Sequence, residues 1–83
     1  MTKAGKTLAK ARSGAIISFR DFEALLKEYD FRLMRISGSH RIYWHERIHR
    51  PLSVQPAGKD AKRYQVRMLL AIIEELESRR NGE

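Results

Sequence analysis

The chain of 83 residues contains no cysteine. Disulfides and thiolate metal sites are thereby excluded, and with them a small secreted scaffold stapled by disulfides. Such a chain has to hold itself together by packing, which suits a reducing cytoplasm, the location expected for it. Only 5 glycines and 2 prolines are present, too few for low-complexity linkers or a collagen-like repeat. No apolar run approaches the roughly 18 residues of a membrane span. The first fifteen residues carry no continuous apolar stretch of the signal-peptide kind. The expectation is a protein with neither signal peptide nor membrane partner. Acidic residues are also scarce, 10 against 17 Lys and Arg, for a formal charge of +7.

What is present suffices for one small domain. Hydrophobic residues make up 42% of the chain, which argues against a wholly disordered polymer. A domain of this size buries only about 60% of its unfolded surface, so one modest core is expected. The positive excess points to a polyanionic partner: nucleic acid, an acidic protein or an anionic membrane surface. It is unevenly spread. Met1–Ile17 holds Lys3, Lys6, Lys10 and Arg12 and no acid. Ser37–Lys59 holds Arg41, Arg47, Arg50 and Lys59 against Glu46 alone. Bases and acids balance in the two segments Ser18–Ile36 and Asp60–Glu83, as they do on helices with paired charges.

Hydrophobic spacing gives the order of elements. Residues 1–17 read as a basic, flexible N-terminal extension, with a short helical turn possible near Thr7–Arg12, and residues 18–83 as a single domain. Ser18 is placed as the N-cap of a helix over Arg20–Tyr29, whose apolar face is Phe19, Phe22, Leu25, Leu26 and Tyr29. Asp30 falls where a left-handed residue commonly ends a helix. Phe31–Ile36 and His40–His45 alternate as strands around the turn Ser37-Gly38-Ser39 and predict an antiparallel hairpin. Glu46–Arg50 reads as a basic loop, Pro51–Gln55 as a short third strand with Pro51 at its edge, and Pro56–Lys59 as a loop. Val66, Leu69, Leu70, Ile73 and Leu76 line a final helix over Ala61–Arg79, stopped by Asn81-Gly82. The fold class is α+β, in the order α-β-β-β-α. Both helices cover one face of a three-stranded antiparallel sheet, as in a double-stranded-RNA-binding domain.

Several of these residues form a pattern. Phe19-Arg20-Asp21-Phe22 with Leu25-Leu26 is followed by Phe31 and Arg35, then by Gly38-Ser39-His40 and Arg41-Ile42-Tyr43. Ala61-Lys62-Arg63-Tyr64-Gln65-Val66 opens the last helix. In this order and spacing, Ser18–Leu76 resembles the HicA toxins, the RNA-cleaving partners in HicBA type II toxin–antitoxin systems. The family usually has Gly at Asp30 and Pro at Arg63. The resemblance implies a double-stranded-RNA-binding-like fold and an endoribonuclease, an mRNA interferase that arrests growth. It also implies a HicB-like antitoxin and no cofactor. The catalytic histidine of the family's Gly-Ser-His maps onto His40.

The residues support that chemistry on their own terms. RNA carries its own nucleophile, the 2′-hydroxyl, so cleavage needs a base, stabilisation of the phosphorane and a proton for the leaving oxygen. A histidine, titrating near about 6.5 when unperturbed, serves as acid or base near neutrality. Gly38 lets a phosphate approach the backbone, and Ser39 offers a hydrogen bond. Arg35, Arg41, Lys59 and Lys62 are the candidate RNA-binding cations. Other readings stand beside this one. A lone histidine at a strand start is commonly structural. The chain also fits a non-catalytic RNA-binding module of the same fold, or an interaction domain for an acidic protein. Strict alternation sets His40 on one face with Ile42 and Trp44, and Arg41 on the other with Tyr43 and His45. If His40 faces solvent, Ile42 and Trp44 need a reason to be exposed, such as an antitoxin footprint or a bulge near Gly38. Tyr43 and Trp44 can stack on bases or pack in a core. Lys59, Lys62, Arg63 and Arg67 can hold phosphates or simply face solvent. His40, His45 and His49 are the only metal-ligand candidates of their kind, and their strand spacing separates the first two, so no metal site is expected.

Overall fold

The computed structural model describes residues 2–82, with side chains described over residues 2–78. Three helices, α1 (Lys3–Arg12), α2 (Phe19–Glu28) and α3 (Arg63–Gly82), accompany three strands, β1 (Arg32–Ser37), β2 (His40–His45) and β3 (Ile48–Val54). A small hairpin of β4 (Pro56–Ala57) and β5 (Asp60–Ala61) joins the sheet to α3. The α+β class and the three-stranded antiparallel sheet, ordered β1-β2-β3, are those expected, with one helix added in front.

Helix α2 forms for the reasons the sequence gives. The Ser18 hydroxyl accepts the Asp21 N–H at 3.0 Å and satisfies one of the orphan donors of the first turn. At the other end Asp30 has φ +67. The N–H of Phe31 reaches the carbonyl of Leu26, and that of Asp30 the carbonyl of Lys27, both at 3.0 Å. This is a Schellman ending. It turns Phe31 back into the core beside Leu26, and both are buried.

Residues 3–12, expected as a mostly frayed basic tail, are helical. Thr2 caps α1 by accepting the Gly5 N–H at 3.0 Å, and Gly14 at φ +86 ends it. Thr7 and Ala11 are buried, and Ala4 and Leu8 pack against the core. This inward stripe has the helical spacing but consists of small residues, so its hydrophobic signal is weak. The bases Lys3, Lys6, Lys10 and Arg12 lie on the exposed side.

Helices α2 and α3 cover one face of β2 and β3, while β1 is exposed along its whole length. Phe22, Leu25 and Leu26 from α2, with Val66, Leu69, Ile72, Ile73 and Leu76 from α3, share one cluster with Tyr43, Ile48, Leu52 and Val54 from the strands. The opposite face is uncovered. The third strand starts at Ile48 rather than Pro51. The expected basic loop over 46–50 shrinks to the turn Glu46-Arg47, and His49 and Arg50 belong to β3. Two contacts account for this. The Nδ1 atom of His45 accepts the Arg47 N–H at 3.0 Å and closes the turn, and Ile48 is buried in the core. Pro51 stands within an edge strand, where its missing N–H is tolerated.

The start of α3 shifts for a similar reason. Ala61 is held in the β4–β5 hairpin, and its N–H donates to the Ile17 carbonyl at 3.0 Å, so the helix begins at Arg63. The expected loop over 56–59 is β4 and its turn, with Gly58 at φ +64. At its far end α3 runs on through Asn81-Gly82, which were expected to stop it.

Candidate functional site

The β1–β2 connection is a loop of Gly38 and Ser39, closed by the pair Ser37 and His40. Gly38 has φ +62 and Ser39 has an ordinary negative φ, which fits the type II′ pattern that matches strand twist. A Cβ at Gly38 would meet nothing within 4 Å. The glycine is therefore demanded by the backbone angle rather than by crowding, and the space above it is open.

His40 begins β2 at this tip. It is exposed, and its imidazole has no hydrogen-bond or ion-pair partner among the described residues. The register pairs Ser37 with His40, Arg35 with Ile42 and Arg32 with Trp44. By alternation these six residues share the uncovered face of the sheet. No shift of register lies near Gly38. The two irregularities are at Met34 in β1 and at the far end of β2. His40, half-buried Ile42 and exposed Trp44 thus share the open side, with regular pairing from His40 to Ile42.

The opposite side of β2 is occupied. The Tyr43 hydroxyl donates to Glu23 Oε2 at 2.6 Å, and Arg41 Nε lies 3.5 Å from the same oxygen. Burial, and then the Glu23 carboxylate, hold the Tyr43 phenol well above the usual tyrosine range. The Arg41 guanidinium also stands over the Phe19 ring, 5.8 Å from its centre. Of the two candidate arginines, Arg35 stands on the face of His40, whereas Arg41 faces α2. His45 is buried, with its ring 4.9 Å from that of Phe31. His49 is exposed on β3, at the end of the sheet where His45 pairs with Ile48. The three histidines are not brought together, and no group of three His, Asp or Glu side chains able to hold a metal occurs among the described residues.

A polar chain ties the loop to α3. The Ser39 hydroxyl donates to Gln55 Oε1 at 3.3 Å, and the Gln55 backbone N–H donates to Gln65 Oε1 at 3.2 Å. Gln65, in the first turn of α3, is only 2% exposed, and its Nε2 donates to the Tyr64 hydroxyl at 3.1 Å. Gln55 and Gln65 were not singled out as site residues from the sequence. Gln65 carried a signal: it lies four residues before Leu69 and seven before Ile72, so it is a polar residue on an apolar stripe. Lys59 sits exposed in the turn of the small hairpin, with its carbonyl accepting the Phe19 N–H at 2.8 Å. Lys62 caps α3, its carbonyl accepting the N–H groups of Gln65 and Val66. Arg63 donates from Nη2 to the Gly14 carbonyl at 2.9 Å and so fastens the start of α3 to the segment after α1.

No helix of the described residues is long and apolar enough to cross a membrane. A search of curated proteins and a search of solved structures each returned no match. A family model described as the HicA toxin of bacterial toxin–antitoxin systems matches residues 19–75, from the first residue of α2 into the middle of α3. The match covers all three strands, the Gly38-Ser39-His40 tip and Gln65. On this match, the chain belongs to the HicA family of toxins.

Proposed function

We infer that this chain is a metal-independent endoribonuclease that cleaves mRNA in the cytoplasm with His40 as its acid–base residue, and that a HicB-like antitoxin neutralises it. The observation that carries the reading is the placement of His40. Its imidazole is exposed and unpartnered at a hairpin tip, on a sheet whose three strands contain no acid. A phosphodiester can approach such a histidine without meeting a fixed negative charge.

The step needs little machinery. The unprotonated ring nitrogen of His40 takes the proton of the 2′-hydroxyl. The 2′-oxygen forms its bond to phosphorus as the bond to the 5′-oxygen breaks, giving a 2′,3′-cyclic phosphate, and the 5′-oxygen takes a proton from solvent water. Arg35 on the same face supplies positive charge for the phosphorane, and Arg41, Lys59 and Lys62 serve RNA binding. The open Gly38 backbone and the Ser39 hydroxyl, held by Gln55, shape the approach.

One observation favours a second reading, a non-catalytic RNA-binding module. His40 has no second histidine at its end of the sheet, because His45 is buried and His49 lies at the other end. Expression of the chain and of His40→Ala in bacteria separates the two readings. Arrest with fragmented mRNA from the natural chain alone supports the nuclease. Equal arrest by both chains with intact RNA supports the binding module. Cleavage that persists in a chelator is expected, and its loss would overturn the metal-independent step.

A further inference from the structure

The uncovered face of the sheet carries two parallel rows. On β1 stand Arg32, Arg35 and Ser37, and opposite them on β2 stand Trp44, Ile42 and His40. Neither arginine has a salt-bridge or hydrogen-bond partner among the described residues, in contrast to Arg41 on the covered face. Trp44 is 36% exposed, although an indole of this size is usually well buried. From His40 to Trp44 the strand spans about 13 Å, at about 3.3 Å per residue. Beyond Trp44 the surface is mixed in charge, with Asp30 and Glu46 beside Lys27 and Arg47.

We propose that this face is a subsite for single-stranded RNA, with a base stacked on Trp44 and the adjoining phosphates held by Arg32 and Arg35, so that the strand leads to His40. The charge on the face fixes the sign of the occupant. Among the residues that share the face by register there are two arginines and no acid, so the occupant is a polyanion rather than a basic or neutral surface. The aromatic platform fixes its kind. A duplex keeps its bases stacked on one another and offers mainly phosphates and 2′-hydroxyls. Only an unpaired strand presents a free base to an indole while its phosphates run along a row of cations. The subsite rests on the nuclease reading of His40 for its purpose, but not for its detection.

Trp44 is the only tryptophan of the chain, so its fluorescence reports stacking directly. The probe is a short 2′-O-methyl oligoadenylate, which offers bases and phosphates but no nucleophilic hydroxyl, titrated into the full chain. Saturable quenching of Trp44 is expected. The variants that lack the indole are read by the anisotropy of the same probe carrying a fluorescein: Trp44→Leu should weaken binding roughly 5- to 150-fold, the range for loss of one base–aromatic stack, while Trp44→Phe keeps most of the affinity. Arg35→Ala should lower the slope of log K against log salt by about 0.7, one single-strand phosphate contact. Circular dichroism of each variant confirms that it is folded. Binding without quenching, unchanged affinity in Trp44→Leu, tighter binding of a duplex of the same length, or quenching by polyglutamate but not by the oligonucleotide would each overturn the subsite. If the subsite fails while His40-dependent cleavage persists, the nuclease reading stands alone. If binding behaves as expected but His40→Ala cleaves normally, the subsite stands and His40 is not the base.

Discussion

Tyr43 in β2 and Glu23 in α2 are joined by a hydrogen bond of 2.6 Å, with the phenol donating to the carboxylate, across the packed interface of helix and sheet. The bond needs the neutral phenol. Burial and the nearby carboxylate both disfavour the phenolate, so the folded-state pKa is raised above the ordinary value of about 10. A raised folded pKa gives a stabilisation that is fully present below pH about 10 and is lost as pH climbs above it. Tyr29, raised by burial and by Glu77, adds in the same direction. Tyr43→Phe should therefore cost about 1.5–3 kcal/mol near neutrality and flatten the alkaline fall in stability. Urea denaturation at pH 7, 9 and 11 checks both effects. Parallel curves for the two proteins would count against the assignment.

Asp30 offers a gain in stability. Its φ of +67 is a left-handed conformation that glycine adopts without strain. Asp30→Gly should raise stability by about 0.5–1 kcal/mol, which in a domain of this size is roughly 2–8 °C in Tm. Asp30→Val should lower it. A thermal scan in which the glycine variant melts below the natural chain would show that the Asp30 side chain contributes more than its backbone strain costs.

Gln65 reaches the Gly38-Ser39-His40 tip only through others. It fixes the backbone of Gln55, which in turn holds the Ser39 hydroxyl beside His40. Replacing it by Leu leaves the Gln55 N–H without its acceptor, at a cost of about 1–3 kcal/mol. RNA cleavage should fall through kcat with little change in KM, and Gln65→Glu, which keeps the acceptor oxygen, should restore much of it. A loss confined to KM would place Gln65 in RNA binding instead.

Helix α1 is part of the packed body. Ala11 is 4% exposed and faces the core. Ala11→Leu should destabilise by about 1–3 kcal/mol through overpacking. Lys10→Leu, one residue away on the exposed side, should change stability by less than about 0.5 kcal/mol. Chemical denaturation of the two variants distinguishes a docked helix from a tail, in which both changes would be neutral.

The legible parts of this chain were those with strong periodic signals. The apolar stripe Phe19–Leu26 with its Ser18 cap, the alternation of His40–His45 and the stripe Val66–Leu76 gave α2, β2 and α3. Gly38-Ser39-His40 gave the tip. Helix α1 was obscured because its inward residues are Ala4, Thr7, Leu8 and Ala11, three of them small. The start of β3 was obscured because His49 and Arg50 are outward residues of an edge strand and read as loop. In the site, alternation separated His40 from Arg41 correctly. What it could not supply was the three-dimensional link from Ser39 through Gln55 to Gln65, which joins residues 16 and then 10 positions apart.

The most direct test of the account is the single-turnover rate of cleavage of an unstructured RNA by the purified chain and by His40→Ala, at pH 7 and in chelator. Removal of a general acid–base group should lower the rate by about 10²- to 10⁴-fold, with an unchanged circular dichroism spectrum and unchanged affinity for the 2′-O-methyl probe. Equal rates for the two proteins would contradict the assignment of His40.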